Sequence, residues 1–262
     1  MTVFSAPEVI GHRGAGRSSA SDYRENSAES YLAAVGSGAQ WVEIDVRRTA
    51  DDALVVHHDE ALPDGRTIAD LPARECRDAG LLRLDEAFAA IPVCAGVDVD
   101  VKSVMEDAVD PPRRRTAGLL LPALRREAER RRAAAGREHV FVCSFDPAVL
   151  LAVREGAPEI PLAWMPFVRN PVDQAVAGAA GLGCGLVAVD ARSFGLTGEP
   201  ERPGRRDVAY TVGVAHRAGL DVVTWCPGPV DAARFADAGV DAVVVDDVPG
   251  VAAALKARRQ KR

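Results

Sequence analysis

Trp41-Val42-Glu43-Ile44-Asp45-Val46 and, further on, Val97-Asp98-Val99-Asp100-Val101 set an acid at every second place between apolar residues. A strand sends successive side chains to opposite faces, so Glu43 and Asp45 share one face, and Asp98 and Asp100 share another. A carboxylate inside an apolar strand is costly unless it is paired or binds a cation. Two such strands in one chain call for a metal or a buried ion-pair network. Lys102, two places after Asp100, falls on the same face as the acids.

Outward from these strands, short β-branched runs alternate with Ala/Leu/Arg-rich helical stretches. Strands are expected at Glu8–Ile10, Trp41–Val46, Ala53–His57, Val97–Val101, Val140–Ser144, Ile160–Trp164, Leu186–Val189, Asp221–Trp225 and Ala242–Val245. Helices are expected between most of them, among them Ser27–Ser37, Thr116–Ala135 and Val248–Arg258. Strands separated by helices imply parallel pairing through right-handed crossovers. Ala53–His57 follows Val46 too closely for a helix to intervene, so it reads as a hairpin-like addition after strand 2. The remaining eight strands predict a (β/α)₈ barrel, whose usual length of roughly 250 residues suits this chain of 262. No linker divides it, so residues 1–262 read as a single domain with a basic tail at 258–262. The arginines of Thr116–Ala135 read as a solvated outer face.

Composition narrows the function classes. The net charge is −6, which argues against general nucleic-acid binding. No apolar run is long enough to span a bilayer, and the first ten residues lack the pattern of a signal peptide. The five cysteines stand singly, without a CxxC pair. They read as reduced thiols of a cytoplasmic protein rather than as a disulfide framework or a zinc site.

The chemistry-bearing groups fall where a barrel places its working residues, at the C-terminal ends of strands. His12 and Arg13 follow the first strand, and His58 and Asp59 end the added one. A histidine pair can trade protons near neutral pH, a carboxylate pair can hold a hard cation, and Arg13 can neutralise an anionic oxygen. Together they point to metal-assisted cleavage of a phosphodiester.

On these residues the chain resembles the glycerophosphodiester phosphodiesterase family, a phosphodiesterase-type (β/α)₈ barrel. The family's H-R-G stands as His12-Arg13-Gly14, its E-N-T as Glu25-Asn26-Ser27, and its E-x-D as Glu43-Ile44-Asp45. V-V-x-H-D stands as Val55-Val56-His57-His58-Asp59, E-I-K as Asp100-Val101-Lys102, and S-F-D as Ser144-Phe145-Asp146. The resemblance runs from about Glu8 to Asp247. It implies His12 and His58 as general acid and base, and Arg13 and Lys102 as phosphate ligands. Glu43, Asp45 and Asp100 would hold one divalent cation, magnesium or calcium. Trp225 and Phe145 would form a substrate wall, with Glu25 and Asn26 in support. The implied partner is a small phosphodiester, cleaved to an alcohol and glycerol 3-phosphate.

The pattern departs from the family in three places. The third acid is Asp100 where glutamate is commoner, the Ser/Gly-rich loop Ala15–Arg24 is long enough to lid the site, and the segment between His58 and Asp100 is abbreviated. Alternatives are therefore a phospholipase D-like enzyme on lysophospholipid or sphingolipid, a repurposed biosynthetic enzyme, and a phosphate-binding barrel without turnover. The histidine pair argues against mere binding, which needs no acid–base couple. His57 reads as structural, His139 and His216 as incidental, and Asp98 as support for the acids or a buried partner of an arginine or lysine. Asp246-Asp247 reads as the cap of the last helix, with Pro249 in its first turn.

Overall fold

A computed structural model describes residues 2–5, 7–17, 21–136, 139–168, 170–194 and 206–259. Its strands are β1 (Glu8–Gly11), β2 (Trp41–Arg48), β3 (Leu54–Val56), β4 (Gly96–Val101), β5 (Val140–Ser144), β6 (Leu162–Trp164), β7 (Leu186–Asp190), β8 (Asp221–Trp225) and β9 (Ala242–Val245). Its α-helices are α1 (Ala28–Gly36), α2 (Ala73–Asp78), α3 (Leu84–Ala90), α4 (Thr116–Ala135), α5 (Pro147–Gly156), α6 (Val172–Gly181), α7 (Val208–Arg217), α8 (Pro229–Asp237) and α9 (Val248–Arg259).

Eight strands run parallel in the order β1, β9, β8, β7, β6, β5, β4, β2, and the β1–β2 pairing closes the ring. This is the expected (β/α)₈ barrel. The added strand is where the short polar turn placed it. β3 lies antiparallel on the outer stretch of β2, with Val46 opposite Val56 and Arg48 opposite Leu54.

The two acid-bearing strands are neighbours, and their register is direct. Trp41 pairs with Gly96, Glu43 with Asp98, and Asp45 with Asp100. Parallel neighbours point paired side chains the same way, so the barrel interior is built in layers. At the N-terminal floor Trp41 fills the space that Gly96 leaves, since a Cβ there would collide with the indole. The Phe4 and Phe141 rings sit 5.3 and 5.4 Å from Trp41, and the Trp41 indole N–H donates to Glu8. One and two layers further up come the carboxylates. Between barrel and helices lies the main apolar core, built from the outward residues of the strands, such as Ile44, Val99 and Val142, and inward helix residues such as Leu120 and Leu124.

Helix starts follow local chemistry. Ser27 caps α1 by accepting the Ser30 N–H at 3.2 Å, and Asp146 caps α5, which opens on Pro147. α2, absent from the sequence expectation, is six residues long and has no apolar period to betray it. It belongs to the segment between His58 and Asp100, which carries a small core of its own from Val55, Leu62, Ile68, Leu71, Cys76 and Leu81. The arginine face of α4 is not wholly solvated. Arg131 is fully buried and donates to the Pro92 and Ile91 carbonyls at 2.9 and 3.2 Å as well as to Glu127. Arg258, assigned to the basic tail, is helical and binds Asp237 and the Ala236 carbonyl; residues 260–262 lie outside the described residues. Among the described residues no helix is long and apolar enough to cross a membrane.

Candidate active site

The C-terminal mouth of the barrel encloses a cavity of about 420 Å³. Its lining includes His12, Arg13, Glu43, Asp45, His58, Asp100, Lys102, Phe145 and Trp225, which brings together every proposed catalytic, cation-binding, phosphate-binding and wall residue.

Glu43, Asp45 and Asp100 are buried, and their carboxylate oxygens lie within 4.8 Å of one another. This crowding is balanced by local cations. Lys102 Nζ sits 3.0 Å from Asp45 Oδ1 and bridges to Asp100. Arg13 Nε is 3.5 Å from Asp45 Oδ2. The balance is uneven, and the carboxyls divide accordingly. Burial alone would raise Asp45, but Lys102, His58 and Arg13 pull it well below the usual carboxylate range. Burial and the neighbouring Asp45 push Glu43 up to about 8. Burial likewise raises Asp100, and Asp100 Oδ1 is buried without a hydrogen-bond partner. Three clustered oxygen ligands with an unused acceptor suit a hard cation.

Short polar contacts orient the set. The Arg13 backbone N–H donates to Glu43 Oε2 at 2.8 Å and its guanidinium to Glu25 Oε1 at 2.8 Å. Asn26 Nδ2 donates to Asp45 Oδ2 at 2.9 Å. Arg13 and Asn26 both hold left-handed backbone, with φ of 52° and 55°, a strained choice for arginine but one that asparagine adopts readily. Gly14, at φ 96°, lets this turn press onto α1, where a Cβ would meet Ser30. Glu25 and Asn26 thus hold Arg13 and Asp45 in place.

The histidines arrive from opposite flanks. His58 follows β3; its Nδ1 pairs with Asp59 Oδ1 at 2.7 Å, and its carbonyl accepts from Arg47 Nε at 2.9 Å. His12 follows β1, and its Nδ1 lies 2.8 Å from Asp246 Oδ1. Burial works against the imidazolium of His12, but Asp246, Cys226 and Glu43 raise it to about 10. The cap reading of Asp246-Asp247 is corrected here. Asp247 does accept the Gly250 N–H at 2.9 Å, whereas Asp246 turns inward to His12 and to Arg17, whose Nε donates at 2.8 Å.

Among the described residues no arginine or lysine pairs with Asp98; it is buried beside Cys143 and the other acids, and burial pushes its carboxyl well up. His139 packs edge-on against Trp41 at the floor, and His216 pairs with Asp241 on the outside at 2.9 Å. The long first loop contributes Arg17 to the cavity, while residues 18–20 lie outside the described residues. Sequence reasoning missed Asp246, Arg17, Cys226 and Arg192, the last held by Asp190. The sequence signal for Asp246 was its place directly after the last strand.

The closed barrel thus carries two histidines, two cationic side chains and an acidic triad at its C-terminal mouth. The glycerophosphoryl diester phosphodiesterase family model matches residues 12–249, and the chain belongs to that family. A glycerophosphocholine phosphodiesterase of Eremothecium gossypii is 39% identical over 71 residues, which are 26% of this chain and 5% of that protein. The chain thus matches only a small part of that curated relative. Among solved structures, a glycerophosphoryl diester phosphodiesterase from Silicibacter pomeroyi superposes with a TM-score of 0.73 at 22% identity, over 97% of this chain and 95% of that one. An Oleispira antarctica phosphodiesterase, solved with sn-glycerol 3-phosphate, gives 0.72 at 22% identity over 96% and 97%. At such identities the likeness carries the fold.

Proposed function

We propose that this chain hydrolyses a glycerophosphodiester to an alcohol and glycerol 3-phosphate, using His12 and His58 as the acid–base couple. The observation that carries the reading is that both histidines, both phosphate-binding cations and the acidic triad line one cavity of about 420 Å³. That volume suits a small polar diester. Family membership and the product held by the Oleispira antarctica phosphodiesterase support the same substrate class.

Each residue then has a task. Glu43, Asp45 and Asp100 would hold one magnesium or calcium ion, which when bound offsets charge on the phosphate oxygens. Arg13 and Lys102, both at the cavity wall, meet the phosphate from the protein side; the same charges hold Asp45 ionised. The two imidazoles take the proton from the nucleophile and supply one to the departing alcohol. Phe145 and Trp225, edge-on to each other at 6.2 Å, give the cavity an aromatic wall, with Lys102 Nζ 5.5 Å from the Phe145 ring centre.

One observation favours a second reading, a lysophospholipid substrate. Phe167 is 75% exposed and stacks on Phe145 at 5.2 Å, which extends the apolar wall outward. The purified protein with magnesium or calcium is assayed on glycerophosphocholine, lysophosphatidylcholine and bis(p-nitrophenyl) phosphate, beside His12→Ala and His58→Ala. Release of glycerol 3-phosphate from glycerophosphocholine, lost in both variants, is expected. Turnover of lysophosphatidylcholine alone would transfer the reading to the lipid, and equal turnover in all three proteins would refute the histidine assignment.

A further inference from the structure

We propose that Asp246 is the positioning residue of His12, fixing which ring nitrogen faces the substrate. β1 and β9 are parallel neighbours, and Gly11 pairs with Val245. The register continues one step, because the His12 N–H donates to the Val245 carbonyl at 3.0 Å. His12 and Asp246 are therefore consecutive partners on adjacent strands, and such partners point the same way. Strand register alone brings a histidine near one end of the chain beside an acid near the other.

The side chains complete the contact. Asp246 Oδ1 lies 2.8 Å from His12 Nδ1. Cys226 Sγ is 3.9 Å from the same nitrogen and is the weaker partner. An ionised carboxylate only accepts, so Nδ1 must carry a hydrogen. Nε2 is then the nitrogen left to face the substrate, and proton exchange takes place there.

Asp246 is itself clamped. The Arg17 backbone N–H donates to Oδ1 at 3.1 Å, and Arg17 Nε to Oδ2 at 2.8 Å. Gly16 lets the loop lie against the Asp246 backbone, where a Cβ would collide with the carbonyl. Burial would raise the Asp246 carboxyl, but His12 and Arg17 hold it below the usual range. An acid fixed on both oxygens does not rotate away from the ring.

This inference rests on His12 acting in proton transfer, and a double-mutant cycle separates the two claims. Cation-loaded wild type, Asp246→Asn, His12→Ala and the double variant are assayed on bis(p-nitrophenyl) phosphate, with melting curves and cation affinity measured alongside. Asp246→Asn is expected to lower kcat by roughly 10²-fold or more with KM within about threefold. In the His12→Ala background the same change should alter kcat by less than about twofold, since groups acting as a unit are non-additive. Should the asparagine variant not fold, Asp246→Ser goes through the same cycle. An equal loss in both backgrounds, or a kcat within threefold of wild type, would overturn the positioning role while leaving His12 in place. Full activity in His12→Ala would instead overturn the reading of His12.

Discussion

Replacing Glu43 by glutamine should stabilise the metal-free protein at alkaline pH and abolish its response to the cation. The unfolded chain releases the Glu43 proton near 4.5, whereas the folded protein holds it to about 8. A carboxyl raised by folding favours the folded state only while protonated. Stability is therefore lost as pH climbs from 4.5 through 8 and stays low above. A difference of that size corresponds to about 5 kcal/mol at roughly 1.4 kcal/mol per unit. Glutamine carries no such cost, and its amide oxygen still accepts the Arg13 N–H that Glu43 Oε2 accepts at 2.8 Å. Some of the crowding passes to Asp45 and Asp100, so a net gain of about 2 kcal/mol is expected at pH 9, a rise in Tm of about 4–8 °C for a chain of this size. At pH 5 the gain should nearly vanish. Saturating magnesium or calcium should invert the order, because wild type gains about 2.7 kcal/mol at a hundredfold excess over Kd and the variant little. The assay is thermal or urea unfolding at both pH values, in chelator and in cation. A variant less stable than wild type in chelator at pH 9, or one with an undiminished cation shift, would refute the crowded-triad reasoning.

Three further outcomes follow from the same geometry. His58→Ala should lower kcat by about 10²–10⁴-fold in steady-state assays, and melting should move little because the ring is partly exposed. Lys102→Met strips Asp45 and Asp100 of their shared cation; it should destabilise the metal-free protein by about 3 kcal/mol in urea, with part of that restored by magnesium or calcium. Gly96→Ala drives a methyl group into Trp41 and should cost about 2–3 kcal/mol by overpacking the floor, again read by urea unfolding.

Much of the site could be read from residues close in sequence or fixed by strand period. The E-x-D and D-x-D alternations placed each pair of acids on one face of its strand, and the barrel set those strands side by side as Glu43–Asp98 and Asp45–Asp100. His58 rather than His57 reaches the cavity, as alternation required. What escaped were contacts made by closure. Asp246 meets His12 across 234 positions, and an acid before a helix carries the local signature of a cap whether or not it is one. Asp98 escaped differently. Its period placed it inward correctly, but the level it occupies, beneath the cation-lined mouth and beside Cys143, depends on the stacking of layers and not on the pattern of one strand. Arg131 was hidden among arginines that do face solvent, since composition does not tell which side of a helix lies over the carbonyls of Ile91 and Pro92.

The seam between β1 and β9 also imposes an order of events on synthesis. Glu43, Asp45 and Asp100 all lie on β2 and β4, which are made before β5 to β9. The partner of His12 follows β9, so it is made only after all nine strands. A growing chain therefore holds every member of its acidic triad well before it holds the carboxylate that seats its histidine.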